Sequence, residues 1–355
     1  MEADIQWMRR ALLLAGYGRG NVSPNPMVGC VIVHEGSIIG EGWHRQYGGP
    51  HAEVWAINDA ESKGNAHLLP ESTAYVTLEP CSHTGKTPPC ADLIISKKLK
   101  KVIICNNDPN PLVSGRGIAR MVEAGIEVEI GLLASEGLAL NKRFFTAMGQ
   151  KRPYVILKWA ETADGFLGPE TGDALRISGT LSNMRVHQWR TEEDAILIGY
   201  KTALMDNPRL NVRNWEGRDP VRVVLDRHLQ LPATLHLFNK IQSTIVVNYL
   251  QESTLPDSPE RYSVSSDPSY LKVNPGAGEI EQMLKGLLAR KIQSVFVEGG
   301  AAVISAFLQT GLWDEIRRCQ GPAVIGNGVK APIATGVLRE SEIVEKDLWT
   351  HYSRI

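Results

Sequence analysis

His51-Ala52-Glu53-Val54, then Glu79-Pro80-Cys81 and, nine positions later, Cys90 gather one imidazole, two thiols and carboxylates into a short span of the chain. One imidazole and two thiolates fill three of the four tetrahedral positions that zinc prefers. The fourth is left for a water whose pKa the metal draws down toward about 7. His51, Cys81 and Cys90 are therefore the candidate ligands. Glu53 follows His51 too closely, on too short a side chain, to be needed as a fourth ligand. Its better role is catalytic: to take a proton from that water and deliver it to a leaving group, a contribution of about 10² to 10⁴ in rate. A closed structural site competes with this reading, but it wants a fourth ligand. His83 is the nearby candidate, and structural sites favour tightly paired cysteine spacing that is absent here.

Working outward, His51 stands at the start of a helix read over 52–62, and Cys90 follows Pro88 and Pro89 at the start of another over 91–96. Helix N-termini favour the thiolate. A helix over 4–18 carries Ile5, Met8, Leu12 and Ala15 at helical spacing, and the β-branched run 28–33 forms a hairpin with 38–41 across His34, Glu35 and Gly36. Strands at 75–78, 102–105 and around Val128, with a helix over 118–124, complete an alternating α/β pattern. Cys30 and Cys105 fall inside apolar strands and read as core.

The polar stretch Gly149 to Pro153 marks a boundary, giving domains 1–150 and 151–355. The second half repeats the alternation, with strands at 154–157, 195–199, 221–226, 244–247 and 294–298 and helices at 182–189, 279–289 and 301–310. Prolines 256, 259, 268 and 275 lie among polar residues without apolar periodicity, so 251–278 reads as one long mobile loop. No internal repeat is visible.

At 355 residues, two domains are the natural expectation. With 38 Lys and Arg against 39 Asp and Glu, no global field gathers a polyanion, so a nucleic-acid substrate is disfavoured. Five cysteines are odd in number and sparse, which suits free, metal-binding thiols in a reducing compartment. No secretion signal and no apolar run of membrane-spanning length is seen. A soluble, cytoplasmic, homo-oligomeric enzyme without membrane contact is expected.

A His-x-Glu pattern followed by Pro-Cys and a second cysteine is a zinc-deaminase signature, here with the second cysteine displaced. Asn25-Pro26-Met27-Val28-Gly29-Cys30, His51-Ala52-Glu53, and Thr77-Leu78-Glu79-Pro80-Cys81 through Pro89-Cys90 together resemble the bifunctional riboflavin-biosynthesis deaminase/reductase family. Asp108-Pro109-Asn110-Pro111 with Gly115-Arg116-Gly117 continues the likeness. So do Lys158-Trp159-Ala160, Asp194 to Gly199, Asp206 to Leu210 with Arg213, and Val297-Glu298-Gly299-Gly300.

The resemblance implies a cytidine-deaminase-like zinc domain followed by a dihydrofolate-reductase-like α/β domain. It also implies two reactions: loss of the 2-amino group from a phosphorylated diamino-ribosylamino-pyrimidinone, then NADPH reduction of its ribosyl chain. By the same likeness Asn25, His44, His83 and Lys86 contact the deaminase substrate. Ala160, Thr202, Asp206, Gly300 and, for the cofactor's extra phosphate, Arg227 line NADPH, while Arg190, Leu210, Arg213 and Glu298 face the reductase substrate. Glu161, Arg176 and Arg227 depart from the family pattern and place new charges near the expected dinucleotide. A nucleic-acid-editing deaminase is the rival enzyme reading, opposed by the even charge balance. A non-catalytic zinc scaffold is opposed by Glu53.

Overall fold

A computed structural model of the chain describes residues 2–82, 89–109, 114–170, 175–254 and 268–354. The chain divides into two compact units, Met1–Gln150 and Lys151–Ile355.

In the first unit, helix α1 (Glu2–Gly16) opens with Glu2 and Asp4, which suit the positive end of the helix dipole, and buries Met8, Ala11, Leu14 and Ala15 along one stripe. Strands β1 (Gly29–His34) and β2 (Ser37–Trp43) form a hairpin. Its two-residue turn puts Glu35 at φ 46° and Gly36 at φ 76°, the left-handed pair that matches strand twist. β1 is buried on both faces: Cys30 and Ile32 pack with Ala52, Ala56 and Ala60, whereas Val31 and Val33 pack with Met8, Ala11 and Leu14.

Helix α2 (Ala52–Ser62) lies close against β2 because the strand offers glycines there. A Cβ on Gly40 would stand 2.2 Å from the Ala56 carbonyl oxygen, and one on Gly42 2.4 Å from Trp55 Cβ. Strand β3 (Thr73–Leu78), helix α3 (Cys90–Ser96), strand β4 (Lys101–Asn106), helix α4 (Arg116–Glu123) and strand β5 (Glu127–Ile130) follow. The sheet runs β2-β1-β3-β4-β5, with β3, β4 and β5 parallel.

The unit closes with α5 (Ala134–Leu140) and α6 (Lys142–Gln150), two helices the sequence pattern does not announce. Asn141 between them is buried and bonds both backbone groups of Met27, donating to its oxygen at 2.8 Å and accepting from its nitrogen at 2.8 Å. That fastens the loop carrying Asn25.

The second unit is built on a nine-stranded sheet, ordered β11-β10-β9-β8-β12-β6-β13-β16-β15. Its elements in chain order begin with β6 (Tyr154–Glu161), β7 (Phe166–Gly168), α7 (Thr180–Glu192), β8 (Ala195–Gly199), α8 (Tyr200–Asp206), β9 (Val221–Leu225), β10 (Thr244–Asn248) and β11 (Ser269–Lys272). They continue with α9 (Glu279–Ala289), β12 (Ser294–Val297), α10 (Ala301–Thr310), β13 (Glu315–Gln320), β14 (Val329–Lys330), β15 (Val337–Val344) and β16 (Asp347–Ser353). The strands from β11 to β13 are parallel, and β16 and β15 add an antiparallel edge. Parallel strands covered on both faces read as unbroken apolar runs, as β8 does with Ala195-Ile196-Leu197-Ile198.

Two expectations change. The stretch 251–278 is not one loop, because Ser269–Lys272 pairs in parallel with β10, and it is the open backbone of β10 that organises so short a segment; residues 255–267 lie outside the described residues. The sequence pattern offers no strand after 298, yet β13, β15 and β16 of the nine-stranded sheet all lie there.

Candidate active sites

The fold brings the four chemistry-bearing residues of the first unit together from three places. His51 is the N-cap of α2, Glu53 sits in its first turn, Cys81 follows β3, and Cys90 opens α3 behind Pro89. His51 Nδ1 lies 3.2 Å from Cys90 Sγ and 3.5 Å from Cys81 Sγ, and the three ligand atoms all fall within 4.8 Å of one another. Among the described residues this is the one group of three or more that could hold a metal.

The donor set fits zinc in number, softness and spacing, and a bound metal would take both thiols as thiolates and His51 as the neutral ring. Hydrogen bonds from the Cys90 thiol, His51 and the Cys90 amide hold the Cys81 thiol down at about 4, while the same bond to Cys81, with burial, pushes the Cys90 thiol up. His51 is raised by its bond to Cys81 against the cost of burial. Glu53 is only 3% exposed, and that burial pushes its carboxyl above the ordinary range against the pull of His51.

Asn25 and His44 arrive at the same place. Asn25 Nδ2 is 3.2 Å from His44 Nε2, His44 Nδ1 is 3.0 Å from the Pro50 oxygen, and the His44 and His51 rings meet edge to face at 5.5 Å. His83 and Lys86 lie outside the described residues. Cys30, Cys105 and Cys319 are free and buried in strands, and none of them belongs to the ligand cluster.

Glu79 has no role in the sequence reading. Its buried carboxylate accepts from the amides of Asp108 at 3.4 Å and Gly115 at 3.1 Å, tying β3 to the connection that follows β4. A carboxylate immediately before Pro80-Cys81 is the signal that points to it.

In the second unit Arg190 on α7 and Glu298 after β12 form a paired-fork ion pair, Nε to Oε1 at 2.8 Å and Nη2 to Oε2 at 3.0 Å. Burial opposes ionisation of Glu298, but Arg190 and then Lys158, 3.8 Å away, outweigh it and hold the carboxyl down at about 2. A pocket of about 430 Å³ opens beside this pair, lined by Arg190, Asp206, Leu210, Arg209, Arg213 and His236 among others. Burial, then Arg190 and Arg209, lower the Arg213 guanidinium, so the pocket converges positive charge at the expense of mutual repulsion.

Thr202 and Gly300 are neighbours: a Cβ on Gly300 would stand 3.2 Å from Thr202 Oγ1. Gly300 caps α10 with no side chain to bond its first amides, leaving the small, donor-rich surface a pyrophosphate requires. Ala160 lies on β6, paired with Cys319 of β13.

The three departures look different in place. Arg227 presents no free cation, because Glu279 accepts from it twice, at 2.9 and 3.0 Å, and its guanidinium lies over Tyr249 at 5.9 Å. That exposed pairing weighs against its assignment to the cofactor's extra phosphate, which the NADPH-to-NADH preference of Arg227→Ser tests. The Glu161 charge is answered by Arg318 at 2.6 Å and by Trp159 Nε1 at 2.7 Å, so it adds no net field. Arg176 is exposed and bonds Ser178 oxygen and Thr180 Oγ1. Lys158 and Arg209 stand in motifs the sequence reading quotes but receive no role there, and His187 stands in none of them.

Known protein families match both halves of the chain. Residues 1–106 match the cytidine and deoxycytidylate deaminase zinc-binding region, and residues 153–350 match the RibD C-terminal domain. The riboflavin biosynthesis protein RibD of Actinobacillus pleuropneumoniae is 37% identical across 98% of this chain and 95% of its own. That of Aquifex aeolicus is 38% identical across 92% and 89%. A crystal structure from Thermotoga maritima, described as a diaminohydroxyphosphoribosylaminopyrimidine deaminase/5-amino-6-(5-phosphoribosylamino)uracil reductase, superposes with a TM-score of 0.87 at 36% identity, covering 100% of this chain and 99% of that one. With a three-ligand zinc cluster beside a buried glutamate in one unit and an arginine-lined α/β pocket in the other, the chain belongs to the RibD family of bifunctional riboflavin-biosynthesis enzymes, a zinc-dependent deaminase joined to an NADPH-dependent reductase.

Proposed function

We propose that the first unit deaminates 2,5-diamino-6-ribosylamino-4(3H)-pyrimidinone 5′-phosphate at its 2-amino group, and that the second reduces the ribosyl chain of the product to ribityl with NADPH. These are the substrates in the description of the Thermotoga maritima relative. The observation that carries the deaminase half is the buried Glu53 in the first turn of α2, beside His51, Cys81 and Cys90. Zinc held by those three residues supplies the acidity that turns water into a nucleophile at neutral pH. Glu53 takes the proton and returns it to the departing amine; its burial favours the protonated form needed for that second step. Asn25 and His44 offer donors and an acceptor to the ring edge. His83 and Lys86 remain assigned to the same substrate on the family likeness.

In the second unit, hydride transfer is the cofactor's chemistry, and the protein's part is to hold two ligands in register. Arg209 and Arg213 suit a phosphate, Glu298 with the Arg190 and Lys158 paired to it suits sugar hydroxyls, and Ala160, Thr202, Asp206 and Gly300 suit NADPH. Leu210, in the left-handed region at φ 53°, forms part of the pocket wall. Incubating purified protein with the diamino substrate, with and without NADPH, tests the whole: the deaminated pyrimidine accumulates without NADPH, and the ribityl product forms with it. Loss of the ribosyl chain's carbonyl equivalent before deamination would reverse the order.

Location and assembly follow from the same chemistry. Cys81 and Cys90 must stay reduced to hold zinc, which suits the cytoplasm. No helix among the described residues is long and apolar enough to cross a membrane. The near-zero net charge favours a small-molecule substrate over nucleic acid. The edge strand β15 exposes Val337, Leu338 and Ile343, and pairing of that edge in a homo-oligomer would cover them. Sedimentation at several protein concentrations checks this, and a monomer throughout rejects it.

A further inference from the structure

The pocket segment 210–213 is held to α7 by two side chains three residues apart on one helical face. Arg190 Nη1 donates to the Asn211 oxygen at 3.1 Å, and the Arg213 amide donates to His187 Nδ1 at 3.3 Å. The segment starts in an unfavourable conformation, with Leu210 at φ 53°, and it carries one of three mutually repelling arginines. Something must over-determine it. His187 is fully buried, and since its Nδ1 accepts from a backbone amide, its proton resides on Nε2, which has no partner. A protonated ring could not accept that bond. Burial, then Arg190 and Arg213, hold His187 down at about 4, so the acceptor form persists at neutral pH.

We propose that His187 is a positioning residue of the reductase: as a hydrogen-bond acceptor it fixes the Arg213 backbone and so aims the Arg213 guanidinium at the substrate's phosphate. This rests on the assignment of Arg213 to the substrate. It explains why a histidine, whose second nitrogen is left unsatisfied, is kept inside the protein there. Preorganisation of this kind is felt as substrate affinity, since the arginines converge before the anion arrives.

The test uses the full-length zinc enzyme, NADPH and pre-deaminated substrate. His187→Leu is expected to raise the reductase KM for substrate about tenfold, while kcat, the KM for NADPH and the deaminase rate stay within about twofold. His187→Asn places an amide oxygen near the Nδ1 position and is expected to restore the substrate KM to within about threefold. His187→Gln reaches instead toward Nε2 and is expected to stay impaired. If His187→Leu does not fold by circular dichroism, the Asn and Gln pair decides. Equal behaviour of Asn and Gln, or a loss confined to kcat or to NADPH, overturns the proposal. Arg213→Ala separates the two layers. An unchanged substrate KM there rejects the substrate assignment, whereas a raised KM there with a normal His187→Leu enzyme rejects the role of His187 alone.

Discussion

At the scale of single residues, two side chains give opposed lessons. Glu53 is the proposed proton carrier and not a ligand, so Glu53→Gln should lower deamination by about 10² to 10⁴ while one zinc per chain stays bound and the reductase is untouched. Metal analysis and separate assays of the two reactions check this; near-normal deamination would require another proton carrier. Arg227 reads in the sequence as an extra cation after a strand, at the edge where open α/β sheets bind ligands. In the folded protein Glu279 already neutralises it. Arg227→Ser should therefore leave the ratio of kcat/KM for NADPH over NADH within about twofold. A fall beyond tenfold would return Arg227 to the cofactor site.

At the scale of elements, site geometry depends on how closely helices approach strands. α2 carries both His51 and Glu53, and it reaches β2 only because Gly40 and Gly42 have no side chains. Gly42→Ala would drive a methyl into Trp55 and the Ala56 amide, 2.6 Å away, and should cost about 1–3 kcal/mol. The expected signs are a lower melting temperature and faster zinc release to a chelator, with unaltered reduction; an unchanged zinc off-rate would show that α2 absorbs the methyl by sliding. The α7–β12 contact yields a pH prediction. His187 titrates near 4 in the fold against 6.5 ordinarily, and Glu298 near 2 against 4.5. In both cases the unfolded chain binds more protons, so stability of this unit is full above about pH 6.5 and falls on acidification, first through His187 down to 4 and then through Glu298 toward 2. Urea unfolding followed at pH 7, 5.5 and 4.5 should show declining midpoints, and His187→Asn should flatten the limb between 6.5 and 4.5. A wild-type midpoint constant across that limb would contradict the assignment.

At the scale of the whole molecule, two cores serve two chemistries. One is gathered around β1 and α2 and the other around β8, β12 and β6. Removing zinc with a strong chelator should abolish deamination and leave NADPH-dependent reduction of pre-deaminated substrate above about 80% of its rate. Loss of both together would mean that the metal supports the second unit as well. The cluster of His51, Cys81 and Cys90 with the buried Glu53 beside it was legible in the sequence because residue type and local spacing carry it. A histidine at a helix start and two cysteines flanking a Pro-rich turn imply zinc before any coordinate is known. The helices over 52–62, 279–289 and 301–310 and the strand over 195–199 were legible for a similar reason, since apolar periodicity is a property of neighbouring residues. Tertiary structure alone decided the rest. β11 is four residues long and exists because β10 offers it an unpaired edge. Asn141 matters because it meets Met27 from 114 residues away. His187 is an acceptor because burial, Arg190 on its own helix and Arg213 from outside that helix keep it neutral, and Arg227 pairs with a glutamate 52 residues on. Periodicity and motif spacing are local, whereas pairing, burial and charge neutralisation depend on what the fold brings from far along the chain.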